Sequence, residues 1–394
     1  MPLSKSQLLF TVVILIVTGA AIWQTREPAM GTGYARWEAP DNNPAKALRL
    51  SSPSGSLNVS GDAEPSVHAV SAVELKNGTL RAFWFGGSRE GASDVAIYTS
   101  TLAPGPNVWS EPEIAISRSR VERDTDRSIR KLGNPVAAID SNGVLWLFVV
   151  SVSVGGWSGS AINVTYSYNE GKTWEDIDRL VTSPFANIST LIKGPPIHYR
   201  DGALGLPVYH EMVSKFPQIV RIDTFPGDRN RVEGRTTIGE SRGTIQPWII
   251  PTTESHAVAF LRSSHSNSKF VHLSETKDGG KNWSPARPTS LPNPNASVAA
   301  AHLGEDKILL AYNHSEKNRD NLTLAITKDN GSSWEKVGAV ETKKRLEGEK
   351  KIRKVEYSYP WLLKTRDGDI HLLYTWNRAE IRHLRLTREE EITK

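Results

Sequence analysis

The chain has 394 residues, 38% hydrophobic and 23% charged, with a formal net charge of +5. That balance belongs to a globular protein, and the length holds one large all-β domain or two ordinary domains. The absence of cysteine excludes a disulfide framework and any thiolate nucleophile or metal site, and the mild, dispersed basicity carries no nucleic-acid motif.

Lys5 precedes an apolar run of 16 residues, Leu8–Trp23. The run falls just short of the roughly 17–25 residues of a spanning helix and exceeds a signal-peptide core of about 7–15. No convincing small-x-small cleavage site follows it closely. Residues 1–26 therefore read as an uncleaved signal-anchor, with Lys5 inside and the remainder exported, held to the membrane on the periplasmic or extracellular face. Secretion after signal cleavage is the alternative. Residues 27–60, rich in Pro, Gly, Asn and Ser, read as a flexible tether. Residues 61–388 read as the folded domain and 389–394 as a tail.

Within the domain one pattern recurs six times: an apolar strand, a tight polar turn and a second apolar strand. The turns are Lys76-Asn77-Gly78, Ser141-Asn142-Gly143, Arg200-Asp201-Gly202, Thr253-Glu254-Ser255, Glu305-Asp306 and Arg366-Asp367-Gly368. Asn-Gly and Asp-Gly are strong hairpin signals because both tolerate positive φ. The repeat averages about 58 residues from Gly78 to Gly368, longer than the roughly 40–50 of common propeller repeats. Second strands such as Val144–Val149 and Lys307–Tyr312 are apolar on both faces, as strands packed between stacked sheets should be.

A second motif is interleaved. Ser167–Trp174, Thr276–Trp283 and Thr327–Trp334 share one frame: Ser/Thr, Asp/Asn two later, Gly four later, Trp seven later. The Asp or Asn caps its own turn, Gly supplies positive φ and Trp covers the turn. These stretches resemble the Asp-boxes of sialidase-like propellers. Over residues 66–386 the chain resembles the sialidase superfamily, within its bacterial group of predicted neuraminidases with BNR-like repeats. The resemblance implies an all-β, six-bladed β-propeller, preceded here by the N-terminal membrane-anchor helix.

Equivalent strand ends of a propeller converge on one mouth of its channel. The residues after each second strand therefore outline a candidate pocket: Arg89 and Asp94, Gly155-Gly156-Trp157, His210-Glu211, Arg262, Asn313-His314 with Arg319, and Arg378. Lys131 and Asn134 begin a strand at the same mouth. The stretch Glu356-Tyr357-Ser358-Tyr359-Pro360 sets a tyrosine beside a carboxylate, after the basic run Lys343–Lys354 that would steer an anionic glycan. Each residue also has an ordinary structural reading, as a loop ion pair, a packing tyrosine or a solvated strand end.

The resemblance implies roles for some of them. Arg262 and Arg319 correspond to two of three arginines that grip a substrate carboxylate, Tyr357 to the nucleophile, with Glu356 or Glu211 as its carboxylate partner, and Asp94 to the acid/base. Two positions depart from the family pattern: His68 stands where the first arginine should be, and Gln246 where the glutamate partner of the nucleophile should be. These departures point away from sialic acid itself and toward a related acidic or deoxy sugar. The expected function is an exported glycoside hydrolase acting on envelope or extracellular glycans, with no cofactor, no metal and no nucleic-acid partner. The alternatives are a non-catalytic glycan- or protein-binding propeller and a hydrolase of neutral deoxysugars.

Overall fold

The computed structural model describes residues 11–12, 36–39, 55–62, 64–182, 187, 189–212, 214–224, 232–240, 242–264, 268–343 and 355–386. The expected signal-anchor apart from residues 11–12, most of the tether, the basic run beyond Lys343 and the tail lie outside these residues. Among the described residues no helix is long and apolar enough to cross a membrane.

A two-residue strand, β1 (Leu57–Asn58), precedes six antiparallel sheets. The first blade holds β2 (Ser66–Glu74), β3 (Leu80–Gly87), β4 (Ala96–Leu102) and β5 (Glu113–Ile116), followed by helix α1 (Arg118–Thr125). The second holds β6 (Lys131–Ile139), β7 (Leu145–Val152), β8 (Ser160–Ser167) and β9 (Asp178–Arg179). In the third the inner strand is broken into β10 (Thr190–Ile192) and β11 (Ile197–His198), which pair with β12 (Leu204–His210), then β13 (Phe216–Ile222) and β14 (Val232–Thr237). The fourth is β15 (Thr244–Pro251), β16 (Ala257–Ser263), β17 (Phe270–Thr276) and β18 (Arg287–Pro292). The fifth is β19 (Ala299–Gly304), β20 (Lys307–Tyr312), β21 (Asn321–Thr327) and β22 (Glu335–Thr342). The sixth is β23 (Tyr357–Lys364), β24 (Ile370–Trp376) and β25 (Glu380–Leu386), whose free edge is taken by β1.

Neighbouring inner strands touch around the ring, and β23 meets β2. The molecule is thus a six-bladed propeller in which all six expected turns join the first and second strands of a blade. Pairing of Leu57 with His383 and of Asn58 with Arg382 closes the circle and covers the last sheet edge. The domain therefore reaches into the stretch expected as tether. Trp37, also expected there, is fully buried, its ring 4.9 Å from that of Tyr199 and its amide bonded to the Glu254 carbonyl at 2.9 Å.

Every residue of β3 and β7 is buried, because both faces of a blade pack on neighbouring blades. Each fully buried Val, Leu, Ile or Phe contributes about 1.5–3 kcal/mol. The three Asp-boxes join third to fourth strands. In the last, Thr327 Oγ1 accepts from the Gly331 amide at 2.8 Å, Asp329 accepts from the Ser333 amide at 2.8 Å, and the Trp334 indole donates to the Gly331 carbonyl at 3.2 Å. Gly331 has φ 91°, and a Cβ there would press on Leu273 at 3.1 Å, so glycine meets both a conformational and a packing demand. Trp334 then packs edge-on against Phe260 of the preceding blade, as Trp174 does against Phe83. The box is an inter-blade staple.

One irregularity repeats at the other end of the inner strands. Ladder pairing skips Ala69-Val70, Asn134-Pro135, Gln246-Pro247 and Tyr359-Pro360. The first residue of each pair is left-handed, with φ of 57°, 42°, 52° and 53°. In three of the four pairs proline removes a ladder donor, which makes a bulge the tolerable solution. Non-glycine residues in this region are strained by about 1–3 kcal/mol each and cluster at functional sites.

Candidate functional site

Because strands alternate in direction, the bulges lie at the channel mouth opposite the Asp-boxes. The left-handed residue of each bulge breaks strand alternation, and the side chains of Asn134, Gln246 and Tyr359 meet around the Tyr209 hydroxyl at the end of β12. Gln246 Nε2 lies 3.2 Å from both the Tyr209 and the Tyr359 hydroxyls, and Asn134 Nδ2 lies 3.5 Å from Tyr209. Burial raises the Tyr209 phenol above its ordinary value. An amide NH2 only donates, so both phenol oxygens accept from Gln246.

Above this centre runs a continuous polar arc. Arg262, at the end of β16, donates to Gln246 Oε1 at 3.0 Å and to Asn295 Oδ1 at 2.7 Å. Arg319 donates to the Asn295 carbonyl at 2.7 Å and pairs with Glu356 at 3.4 Å. Arg378, from the turn after β24, pairs with Glu356 at 3.4 Å and with Glu90 across the blade boundary. Burial would raise the Glu356 carboxyl, but Arg378, the Ser358 hydroxyl and Arg319 together hold it below the usual range. Burial and then Arg262 lower the Arg319 guanidinium, as expected of cations gathered at one place. Three forked cations facing one mouth suit bidentate recognition of a carboxylate or similar oxyanion.

Below Tyr359 the channel is aromatic. The His68 ring packs on that of Tyr359 with centroids 4.3 Å apart, and its buried Nδ1 has no hydrogen-bond partner among the described residues. Burial, then Arg378, Arg319, Lys193 and Arg262, holds the imidazole well below its ordinary value and therefore neutral. Lys193, in the gap between β10 and β11, is 2% exposed and sits over the rings of Trp361, Trp248 and Tyr359 at 4.9, 5.6 and 5.6 Å. The other end of the channel opens into a cavity of about 590 Å³, walled by inner-strand residues such as Ala72, Ala137, Trp248, Ala301 and Trp361. It carries none of the three arginines.

The description "BNR repeat-like domain" belongs to the family model that matches residues 78–372. The chain belongs to that family. No curated protein sequence matches it. Among solved structures, this BNR-repeat chain is similar to the Hadza microbial sialidase Hz136, with a TM-score of 0.65 at 17% identity over 84% of this chain and 68% of that one. The NanB sialidase of Streptococcus pneumoniae superposes with a TM-score of 0.64 at 11% identity, over 88% and 71%. A protein of unknown function from Dyadobacter fermentans gives 0.64 at 12%, over 87% and 99%. The family match and the shared propeller put the chain in the sialidase-like superfamily, and at such identities the structural likeness establishes the fold alone.

Of the site residues expected from sequence, the BNR-repeat propeller brings together Asn134, Gln246, Arg262, Arg319, Glu356 and Arg378. Tyr357 is elsewhere. It is 0% exposed within the apolar core, its amide bonded to the Arg319 carbonyl at 2.7 Å and its carbonyl to Asn313 Nδ2 at 2.9 Å. The bulge explains the exchange: Glu356 and Ser358 share a face at 2.9 Å, Tyr357 faces away from them, and left-handed Tyr359 turns into the channel.

Asp94 is exposed on the loop after β3, where it accepts from the Ser88 amide at 2.9 Å and hydroxyl at 3.0 Å. The Ser88 amide, chiefly, holds its carboxyl below the usual range. Arg89 is exposed beside it. Lys131 lies over the Trp157 ring at 5.8 Å, on the mouth wall. His210 is turned toward the outer strands, bonded to Gln218 at 2.8 Å and stacked on Phe216. Glu211 is tied through its amide to Ser189 at 3.0 Å, with its charge felt by Tyr209. Sequence reasoning passed over Tyr359, Tyr209, Lys193 and Asn295. The recurring X-Pro pair at one strand position was the available signal for Tyr359.

Proposed function

We propose that this protein is a retaining glycoside hydrolase of the sialidase type, acting on a sugar that carries a carboxylate. The convergence of Arg262, Arg319 and Arg378 beside the Tyr359 hydroxyl carries the reading. In the first step Tyr359 Oη bonds to the anomeric carbon as the glycosidic C–O bond breaks. The phenolic proton passes to solvent at the mouth, and Asp94 delivers a proton to the leaving oxygen. Water then attacks the anomeric carbon, Asp94 takes its proton, and the tyrosyl oxygen departs and regains a proton from solvent. A tyrosine suits this task because, unlike a carboxylate, it does not repel an anionic substrate. Glu356 remains an ionised strut between two arginines.

The Leu8–Trp23 run further places the propeller outside the cytoplasm in this reading, on a retained anchor. Membrane fractionation and protease accessibility of the tagged full chain test that placement. Recovery of the protein in the soluble cytoplasm would refute it.

One observation favours a second reading, an anion-binding propeller without turnover. The group beside the Tyr359 hydroxyl is the Gln246 amide, where a carboxylate base would assist ionisation. The purified full chain, with a panel of fluorogenic sialic, keto-deoxy, uronic and neutral deoxysugar glycosides, separates the two. Hydrolysis of an acidic glycoside that Tyr359→Phe lowers by about 10²–10⁴ supports the enzyme. Binding without hydrolysis supports the second reading, and turnover of neutral deoxysugars alone removes the carboxylate clamp from the account.

A further inference from the structure

The mechanism above does not use the buried Lys193. Lys193 lies where the inner strand of the third blade is interrupted, and among the described residues no carboxylate pairs with its ammonium. Its polar neighbour is the Pro360 carbonyl at 3.4 Å, the Trp248, Trp361 and Tyr359 rings lie around it, and its charge reaches His68. The box is fixed from outside: the two tryptophans pack edge-on with centroids 5.0 Å apart, and the Trp361 indole donates to the Ala72 carbonyl at 3.0 Å. Gly194 holds the strand close, since a Cβ there would come within 2.3 Å of the Pro247 carbonyl oxygen.

A cation in such a place is held by ring quadrupoles and the one Pro360 carbonyl. Burial accordingly pushes Lys193 down to about 7. Among the described residues, the neighbour of the box that can become an anion is the Tyr359 phenol. Charge on either group stabilises charge on the other, because their attraction is strong where water is excluded.

We propose that Lys193 is a positioning residue whose buried ammonium stabilises the Tyr359 phenolate, supplying by charge what a carboxylate base would supply by proton transfer. It acts when the phenol oxygen attacks and again when the tyrosyl oxygen leaves. The proposal rests on Tyr359 as nucleophile, and its test is independent of substrate.

Tetranitromethane nitrates tyrosine through the phenolate, and the rate at each tyrosine is read by peptide mass spectrometry. In the full-length wild type, Tyr359 is expected to nitrate faster than Tyr168, which is 58% exposed. Lys193→Met is expected to slow nitration at Tyr359 about tenfold and leave Tyr168 unchanged, while Lys193→Arg keeps most of the rate. Should the variants not fold, the wild-type comparison decides, and slower nitration at Tyr359 than at Tyr168 overturns the proposal. Unchanged Tyr359 nitration in a folded Lys193→Met overturns it equally. If a glycoside is turned over, Lys193→Met should lower kcat about 10–100-fold with KM within a few-fold. A panel with no turnover, alongside slowed nitration, rejects the hydrolase and retains the lysine–phenol coupling.

Discussion

Arg262 fixes the orientation of Gln246. Its guanidinium donates to Oε1 at 3.0 Å, which leaves the amide NH2 to face the Tyr209 and Tyr359 hydroxyls at 3.2 Å each. An arginine at the mouth thus decides which way a dipole points at the channel centre. Gln246→Leu keeps the volume and removes the dipole. It should slow glycoside turnover about 10–100-fold and destabilise the fold by about 1–3 kcal/mol, because the buried Tyr209 hydroxyl loses the nearer of its two amide donors. Equal activity in a correctly folded variant would separate Gln246 from the chemistry.

Arg378 is already paired with Glu90 and Glu356, so an incoming anion competes with the protein's own carboxylates. Glu90→Gln removes one competitor. Titration with an acidic sugar by calorimetry should show about three- to tenfold tighter binding, with stronger salt dependence. Weaker binding would mean that Glu90 positions Arg378 instead of competing for it.

Asp94 must be protonated to serve as the acid, and Ser88 lowers its pKa. Activity should therefore fall as pH rises through the Asp94 titration, giving an acidic optimum. Ser88→Ala removes the side-chain bond while the backbone bond remains, so the alkaline limb should move to higher pH. A limb that stays in place, or moves down, assigns the proton to another group.

His371 and His383 sit at the closing blade, bonded to each other at 2.8 Å, with the Trp109 indole donating to His383 at 3.3 Å. An indole N–H only donates, so His383 accepts at Nδ1 and donates from Nε2 to His371. Burial, the largest cause for each, pushes them down to about 4 and about 3. The unfolded chain, with histidines near 6.5, then binds more protons than the native one. Stability should be full above pH 6.5 and fall progressively as pH drops toward 4 and 3. Thermal melting from pH 7 to 4 reads this, and His383→Gln should flatten the decline.

The Asp-boxes lie at the far mouth, so damage there should spare the site. Thr327→Val removes the acceptor for the Gly331 amide and should cost about 1–2 kcal/mol of stability, with ligand affinity at the arginine mouth unchanged at a temperature where the variant is folded. A selective loss of binding would show that the two mouths are coupled.

The sequence by itself determined the architecture, since hairpin turns and Asp-boxes are local chemistry: a side chain caps its own turn, and a glycine adopts a conformation that others resist. It also marked Arg262, Arg319, Glu356 and Arg378, because a propeller repeats strand ends at one mouth. What only the tertiary structure decided was parity. A bulge at Tyr359-Pro360 shifts alternation by one residue, sending Tyr357 into the core and Tyr359 into the channel. The burial of Lys193 beneath that tyrosine depends on three blades meeting at the axis, and no window of sequence contains all three. The closing strand Leu57–Asn58 was likewise hidden, because two residues carry no periodicity and acquire strand character only from the edge of β25 that they cover.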